Sequence, residues 1–189
     1  MNNKKYIIIA SILILIIVTY LFYYNTPTQK INRFFKKNGF KIEEGIYTKQ
    51  LSELSEEEYY NNKENNIDAF NKEMFFNPDN YQIQTLSSDY YQGLTTIFTA
   101  TYDFKEELLS YTHELNYSTK TYIFEGYLTE YNHLECNVIN DSSNSITTHE
   151  KNTICSTIND LVLDCKNQEE ELFKDNKIKN IIIEKSNKR

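Results

Sequence analysis

Three histidines and three cysteines are the side chains of this 189-residue chain best suited to catalysis or metal binding, and their spacing does not assemble either. His113-Glu114 begins like the helix motif of zinc proteases, but it lacks the second histidine and falls in a stretch that alternates like a strand. His133 and Cys136 would suit a thiol dyad or half a metal site. At a turn running into a strand they read instead as a surface histidine and a buried thiol. His149 lies in a polar loop without an evident partner. Glu56-Glu57-Glu58 fits the first turn of a helix, where carboxylates complement the macrodipole. Glu169-Glu170-Glu171 reads as a solvated helix face, and neither run has the spaced oxygens of a calcium loop. The four glycines are scattered, which leaves no phosphate-binding loop, dinucleotide fingerprint or nucleophile elbow. No catalytic, cofactor-binding or metal-binding residue is assigned, and the chain reads as a binding protein that is not an enzyme.

The cysteines raise a structural question. Cys155 and Cys165 are the better pair by sequence, because "TICSTINDLVLDC" can fold as a hairpin turning near Asn159-Asp160. The same residues also suit a helix from Thr157, with Ile158, Leu161, Cys165 and Leu172 on one face. In a helix, Cys155 and Cys165 lie too far apart along the axis to bond. Both readings remain open, and an odd count leaves at least one thiol free.

Positioning falls to a chain that reads as α+β, an N-terminal transmembrane helix followed by a single domain with an antiparallel β-meander packed against helices. Residues 28–37 suggest a short helix closed by Asn38-Gly39, with Phe34 and Phe35 packing onto the domain or the membrane surface. Ser55 and Glu58 form a capping box, with Leu54 and Tyr59 as its hydrophobic staple. Tyr60, Ile67, Phe70 and Met74 recur at helical spacing and predict a helix ending before Asn77-Pro78. From 81 to 139 the period becomes two, in "LTTIFTATYDF", "LLSYTHELNY", "TYIFEGYLTEY" and "LECNVIN", separated by short polar turns. One turn falls at Ser118-Thr119-Lys120, and 140–144 is a loop. A helix near Gln168 to Phe173 and a last strand, "KIKNIIIEK", complete the domain. One meander face carries Thr101, Thr112, Glu114, Glu125, Tyr127 and Tyr131. Tyrosines among threonines and acids suit protein recognition, since tyrosine offers large contact area at low entropic cost.

Residues 6–24, "YIIIASILILIIVTYLFYY", hold no charge, and at about 1.5 Å per residue they reach roughly 28 Å as a helix. Tyrosines and Phe22 crowd the ends, as interfacial aromatics do. The apolar run ends in bulky residues without a small-x-small cleavage site, so it reads as a retained anchor. Lysines and an arginine follow the span as well as precede it. The short tail and the abutting Lys4-Lys5 favour residues 1–5 as a cytoplasmic tail, 25–51 as a juxtamembrane helix and linker, and 52–189 as an extracellular domain at the cell membrane. With 27 acidic against 20 basic side chains, the net charge of −7 argues against nucleic acid and suits a protein partner.

The anchor "KKYIIIASILILIIVTYLFYY", the segment "NIDAFNKEMF" and the strand-rich "TTIFTATYDF…THELNYSTKTYIFEGYLTEY" together resemble the TipC family of immunity proteins from Gram-positive bacteria. The likeness is one of layout and covers most of the chain, without a motif that matches position by position. It implies an extracellular domain that binds and neutralises a toxin exported by a type VII secretion system, using a concave sheet and no catalysis. It implies no particular contact residue, and the cysteines lie outside the family pattern. A cell-envelope sensor or accessory subunit of a membrane assembly is the alternative reading. An enzyme using His113 or His133 is a third.

Overall fold

The computed structural model describes residues 3–117, 120–129, 133–141 and 146–188. Tyr131, the Ser118-Thr119 part of one expected turn, Asn132 and most of the 140–144 loop lie outside the described residues. The chain forms two compact units, one ending at Gly39 and the other beginning at Phe40.

The first unit is a helix pair. Helix α1 (Asn3–Tyr24) runs 22 residues, and its large apolar side chains from Ile12 onward are exposed, Leu15 at 67% and Phe22 at 77%. Helix α2 (Pro27–Lys37) starts one residue before the expected 28: Thr26 accepts from the Gln29 amide, and Pro27 supplies a first-turn residue without an N–H. It ends at Asn38, followed by Gly39 with φ of 84°. The Arg33 guanidinium ties the bend, lying 3.6 Å over the Tyr24 ring and donating to the Tyr24 carbonyl at 2.9 Å. Among the described residues, which for side chains begin at Ser11 in α1, no single helix is long and apolar enough to cross a membrane. Ser11–Tyr24 and Pro27–Lys37, bent by 65°, meet that criterion as a pair.

The second unit is α+β. Eight strands lie in chain order in one antiparallel sheet: β1 (Lys41–Glu43), β2 (Ile46–Gln50), β3 (Ala69–Asn77), β4 (Gln82–Tyr91), β5 (Leu94–Asp103), β6 (Leu108–Tyr117), β7 (Lys120–Leu128) and β8 (Asn137–Asp141). The two-residue turns Glu44-Gly45 and Gln92-Gly93 have positive φ at both positions, the twist that tight hairpins require. Alternation sends Phe76, Ile83, Phe98, Ala100, Tyr111 and Phe124 to one face. Helix α4 (Thr148–Leu172) lays Ile158, Val162 and Cys165 on that face, a spacing of four and three residues that makes one apolar stripe. Helix α5 (Asn176–Ser186) buries Ile182, and Phe173 between the two helices meets Phe104 edge-on at 5.3 Å. Helix α3 (Glu56–Glu64) covers one end of the other face, where Tyr59 and Leu54 pack with Ala69 and Tyr90.

Three expectations are corrected and one open reading is decided. Residues 41–50, read as linker, supply β1 and β2 of the sheet. The helix expected through Ile67, Phe70 and Met74 stops at Glu64. Asn66 takes φ of 55° to turn the chain, and Ala69–Asn77 pairs with β4 over nine residues, so the helical spacing of those apolar residues is coincidental. "KIKNIIIEK" is helix α5, not a strand. Asp175 caps it by accepting from the Lys177 amide, and burial of Ile182 outweighs the β-branched preference of the isoleucine run. The disputed "TICSTINDLVLDC" is helix, and Thr147 with Glu150 forms a second capping box that opens it.

Candidate functional site

The face left open by α4 is where the expected recognition residues gather. Cross-strand register aligns Thr99, Thr112 and Glu125 in one row over β5, β6 and β7, and Thr101, Ser110 and Tyr127 in the next. These six, with Asn137 and the backbone at Gly126, line a cleft of about 340 Å³. Thr112 and Glu125 are exposed, and Tyr127 keeps 44% of its surface open. Glu114 shares the face one row along, between Ile97 and Ile123, and accepts from the Asn116 amide, so it stands outside the cleft lining. Tyr131 lies outside the described residues. Thr99, Ser110 and Asn137 were not picked from the sequence, because only the strand register shows that they share a row with the others. The cleft offers hydroxyls, an amide and one carboxylate, with no histidine or thiol to act on a substrate. It is built to make hydrogen bonds and aromatic contacts.

Gly126 also allows a close backbone crossing. The chain after β7 doubles back, with the Glu135 amide donating to the Tyr127 carbonyl at 3.0 Å and Thr129 N–H donating to His133 O at 2.9 Å. A Cβ on residue 126 would stand 1.8 Å from the Glu135 carbonyl oxygen, so only glycine fits. Tyr111 reaches the same carbonyl, its hydroxyl donating at 3.1 Å, and burial followed by the Glu125 charge pushes its pKa up to about 12. Cys136 then bonds to Cys155 of α4, with their Cα atoms 6.0 Å apart. This corrects the expected Cys155–Cys165 pair. Those two residues lie ten positions apart on α4, about 15 Å along its axis, beyond the reach of a disulfide. Cys165 is the free thiol, buried in the core, where desolvation pushes it up to about 11.

The remaining expected groups separate widely. Among the described residues no group of three or more His, Cys, Asp or Glu could hold a metal ion. His133 is exposed on the doubled-back segment, Cys136 is bound in a disulfide and cannot act as a thiolate, and His149 is exposed in the first turn of α4. Glu56, Glu57 and Glu58 occupy the first turn of α3 as expected. Of the second acidic run, Glu169 is not solvated: it is buried and paired with Lys179 of α5 at 3.0 Å, while that ammonium lies 4.6 Å from the Tyr102 ring centroid.

His113 is 6% exposed, its ring centroid 5.9 Å from that of Phe98, and desolvation lowers its pKa to about 4. The sign follows from linkage. The unfolded chain takes a proton near pH 6.5 and the folded one only near 4, so stability is full above 6.5 and falls as pH drops between the two. At pH 5 the domain loses about 2 kcal/mol relative to pH 8 through this one group. Urea unfolding of the parent and of His113→Phe across that range checks it. A pH slope unchanged in the variant rejects the assignment.

Comparison with family models, curated proteins and solved structures returned no match. The candidate site therefore stands on its own geometry.

Proposed function

We propose that this chain is a membrane-anchored protein whose domain lies outside the cell and neutralises a secreted toxin by stoichiometric binding. The observation that carries the reading is the open sheet face, where Thr99, Thr101, Ser110, Thr112, Glu125 and Tyr127 converge on one cleft. A hydroxyl-rich row pair around a half-exposed tyrosine, with no histidine or thiol lining the cleft and no metal cluster among the described residues, favours recognition over turnover. The acidic balance of the chain suits a basic toxin surface. The layout likeness to TipC-type immunity proteins points the same way.

Two observations support the location. The apolar side chains of α1 are exposed all round from Ile12 to Tyr24, as a lipid-embedded helix requires. The Cys136–Cys155 bond suits an oxidising compartment outside the cytoplasm.

The test joins both halves of the reading. Protease shaving of intact cells carrying a tag after Arg189 should remove the tag while a cytosolic control survives. The full chain, purified in lipid nanodiscs, should then bind a secreted toxin of its own strain one to one. Tyr127→Ala combined with Thr112→Arg should weaken that complex at least tenfold. A protected tag sinks the location, and unchanged affinity in the double variant sinks the interface.

A further inference from the structure

A second cleft, of about 440 Å³, opens on the opposite side of the sheet, between α4 and strands β3 to β6. Its walls are Phe70, Phe98 and Leu115 from the sheet and Ile154 and Leu161 from α4, with His113 among them. The volume lies within the range of small-ligand sites, and most of the surface that lines it is apolar, although the hydroxyls of Ser87, Thr96, Thr153 and Thr157 and three charged side chains also stand at its walls. Phe70 remains 45% exposed although its register places it on the helix-covered face, so α4 does not close the sheet there.

His113 is the residue that a purely structural account leaves unexplained. Leu109, Tyr111 and Leu115 share its face of β6. Leu109 and Leu115 are apolar, and the Tyr111 hydroxyl is satisfied by Glu135. The His113 ring instead buries its Nδ1 with no hydrogen-bond partner among the described residues, an arrangement that costs stability and that phenylalanine would avoid at similar volume. Burial also keeps the imidazole uncharged at neutral pH. The charged groups at the cleft do not invite an ionic ligand. Lys72 is already paired with Asp164 at 2.7 Å, and Asp89 adds a further negative charge that opposes anions.

We propose that this cleft binds a small, uncharged, mainly apolar molecule bearing one hydroxyl, and that the His113 ring, whose Nδ1 is sealed in the free protein, turns to meet that hydroxyl with a hydrogen bond. The apolar body fills the space between Phe98, Leu115, Ile154 and Leu161. The hydroxyl serves because it both donates and accepts, and so matches either tautomer of a neutral imidazole. This site is independent of the open sheet face and does not rest on the toxin-binding reading.

Phenol is a suitable probe, with toluene, benzylamine and phenylacetate as its apolar, cationic and anionic counterparts. The full chain in lipid nanodiscs, labelled with 15N-histidine, offers three imidazoles, of which exposed His133 and His149 act as internal controls. Phenol should shift the His113 resonances saturably and leave the other two unmoved, at an affinity at least tenfold above that of toluene. His113→Phe should remove that tenfold preference, read by ligand-observed NMR. Ile154→Trp, which places a bulky ring in the cleft from α4, should abolish binding of both. An absence of saturable shift, equal affinity for phenol and toluene, or preference for benzylamine or phenylacetate would each overturn the proposal.

Discussion

The Cys136→Ser, Cys155→Ser double variant should unfold roughly 10 °C below the parent, a loss of about 3 kcal/mol. The two cysteines are separated by 19 positions, and the entropy of closing a loop of that length in the unfolded chain sets the magnitude. The bond is also the only described covalent link between the doubled-back segment and α4, so its removal leaves that segment held to the helix by packing alone. Reductant should reproduce the shift in the parent and have no effect in the double variant. Cys165→Ala provides the control. Its thiol is buried with a pKa pushed up to about 11, so little thiolate is present at neutral pH to attack the disulfide. Scanning calorimetry of the three proteins with and without reductant reads every case. A parent indifferent to reductant would show that the Cys136–Cys155 pairing does not hold the domain.

Gly126→Ala should cost about 3 kcal/mol, a large effect for a single methyl group. The added Cβ would meet the Glu135 carbonyl oxygen at 1.8 Å and its carbon at 2.7 Å, and both are backbone atoms with no rotamer to change. The segment at Glu135 is held by its own amide on Tyr127 O, by the Tyr111 hydroxyl and, one residue on, by the disulfide. It can yield only by giving up those bonds. The cost should therefore fall by at least 1 kcal/mol when Gly126→Ala is made in the disulfide-free background, since contacting sites are not additive. Chemical denaturation of the four members of this cycle measures the coupling. A neutral Gly126→Ala, within about 0.5 kcal/mol, would mean that the crossing at Glu135 is not as close as described.

Much of the open face could be read in the sequence because a strand needs only alternation to sort its side chains. Thr101, Thr112, Glu125 and Tyr127 share a face for that reason, whatever their exact neighbours are. Their rows could not be read, since register depends on which hairpin turns close, and a slip of one residue would have reversed every side chain. Thr99 and Ser110 entered the cleft only through that register. His113 was visible as a strand residue but not as an unpaired one, because the partners it lacks would have come from other elements.

Local signals determined the elements whose causes lie within four residues. These are the Asn38-Gly39 stop of α2, the Ser55–Glu58 capping box of α3, and the period of two in β5, β6 and β7. The Thr147–Glu150 box that opens α4 is equally local. Tertiary structure alone decided the rest. Ala69–Asn77 became a strand because β4 offered a ladder, Asn176–Ser186 became a helix that buries Ile182, and Glu169 was buried because Lys179 arrived beside it. Cys155 found Cys136, and not Cys165, because a helix carries two residues ten positions apart away from each other while the chain after β7 returns to meet it. The choice of which sheet face α4 covers left the other open. That choice is a property of packed surfaces, and no window of sequence contains both sides of a contact.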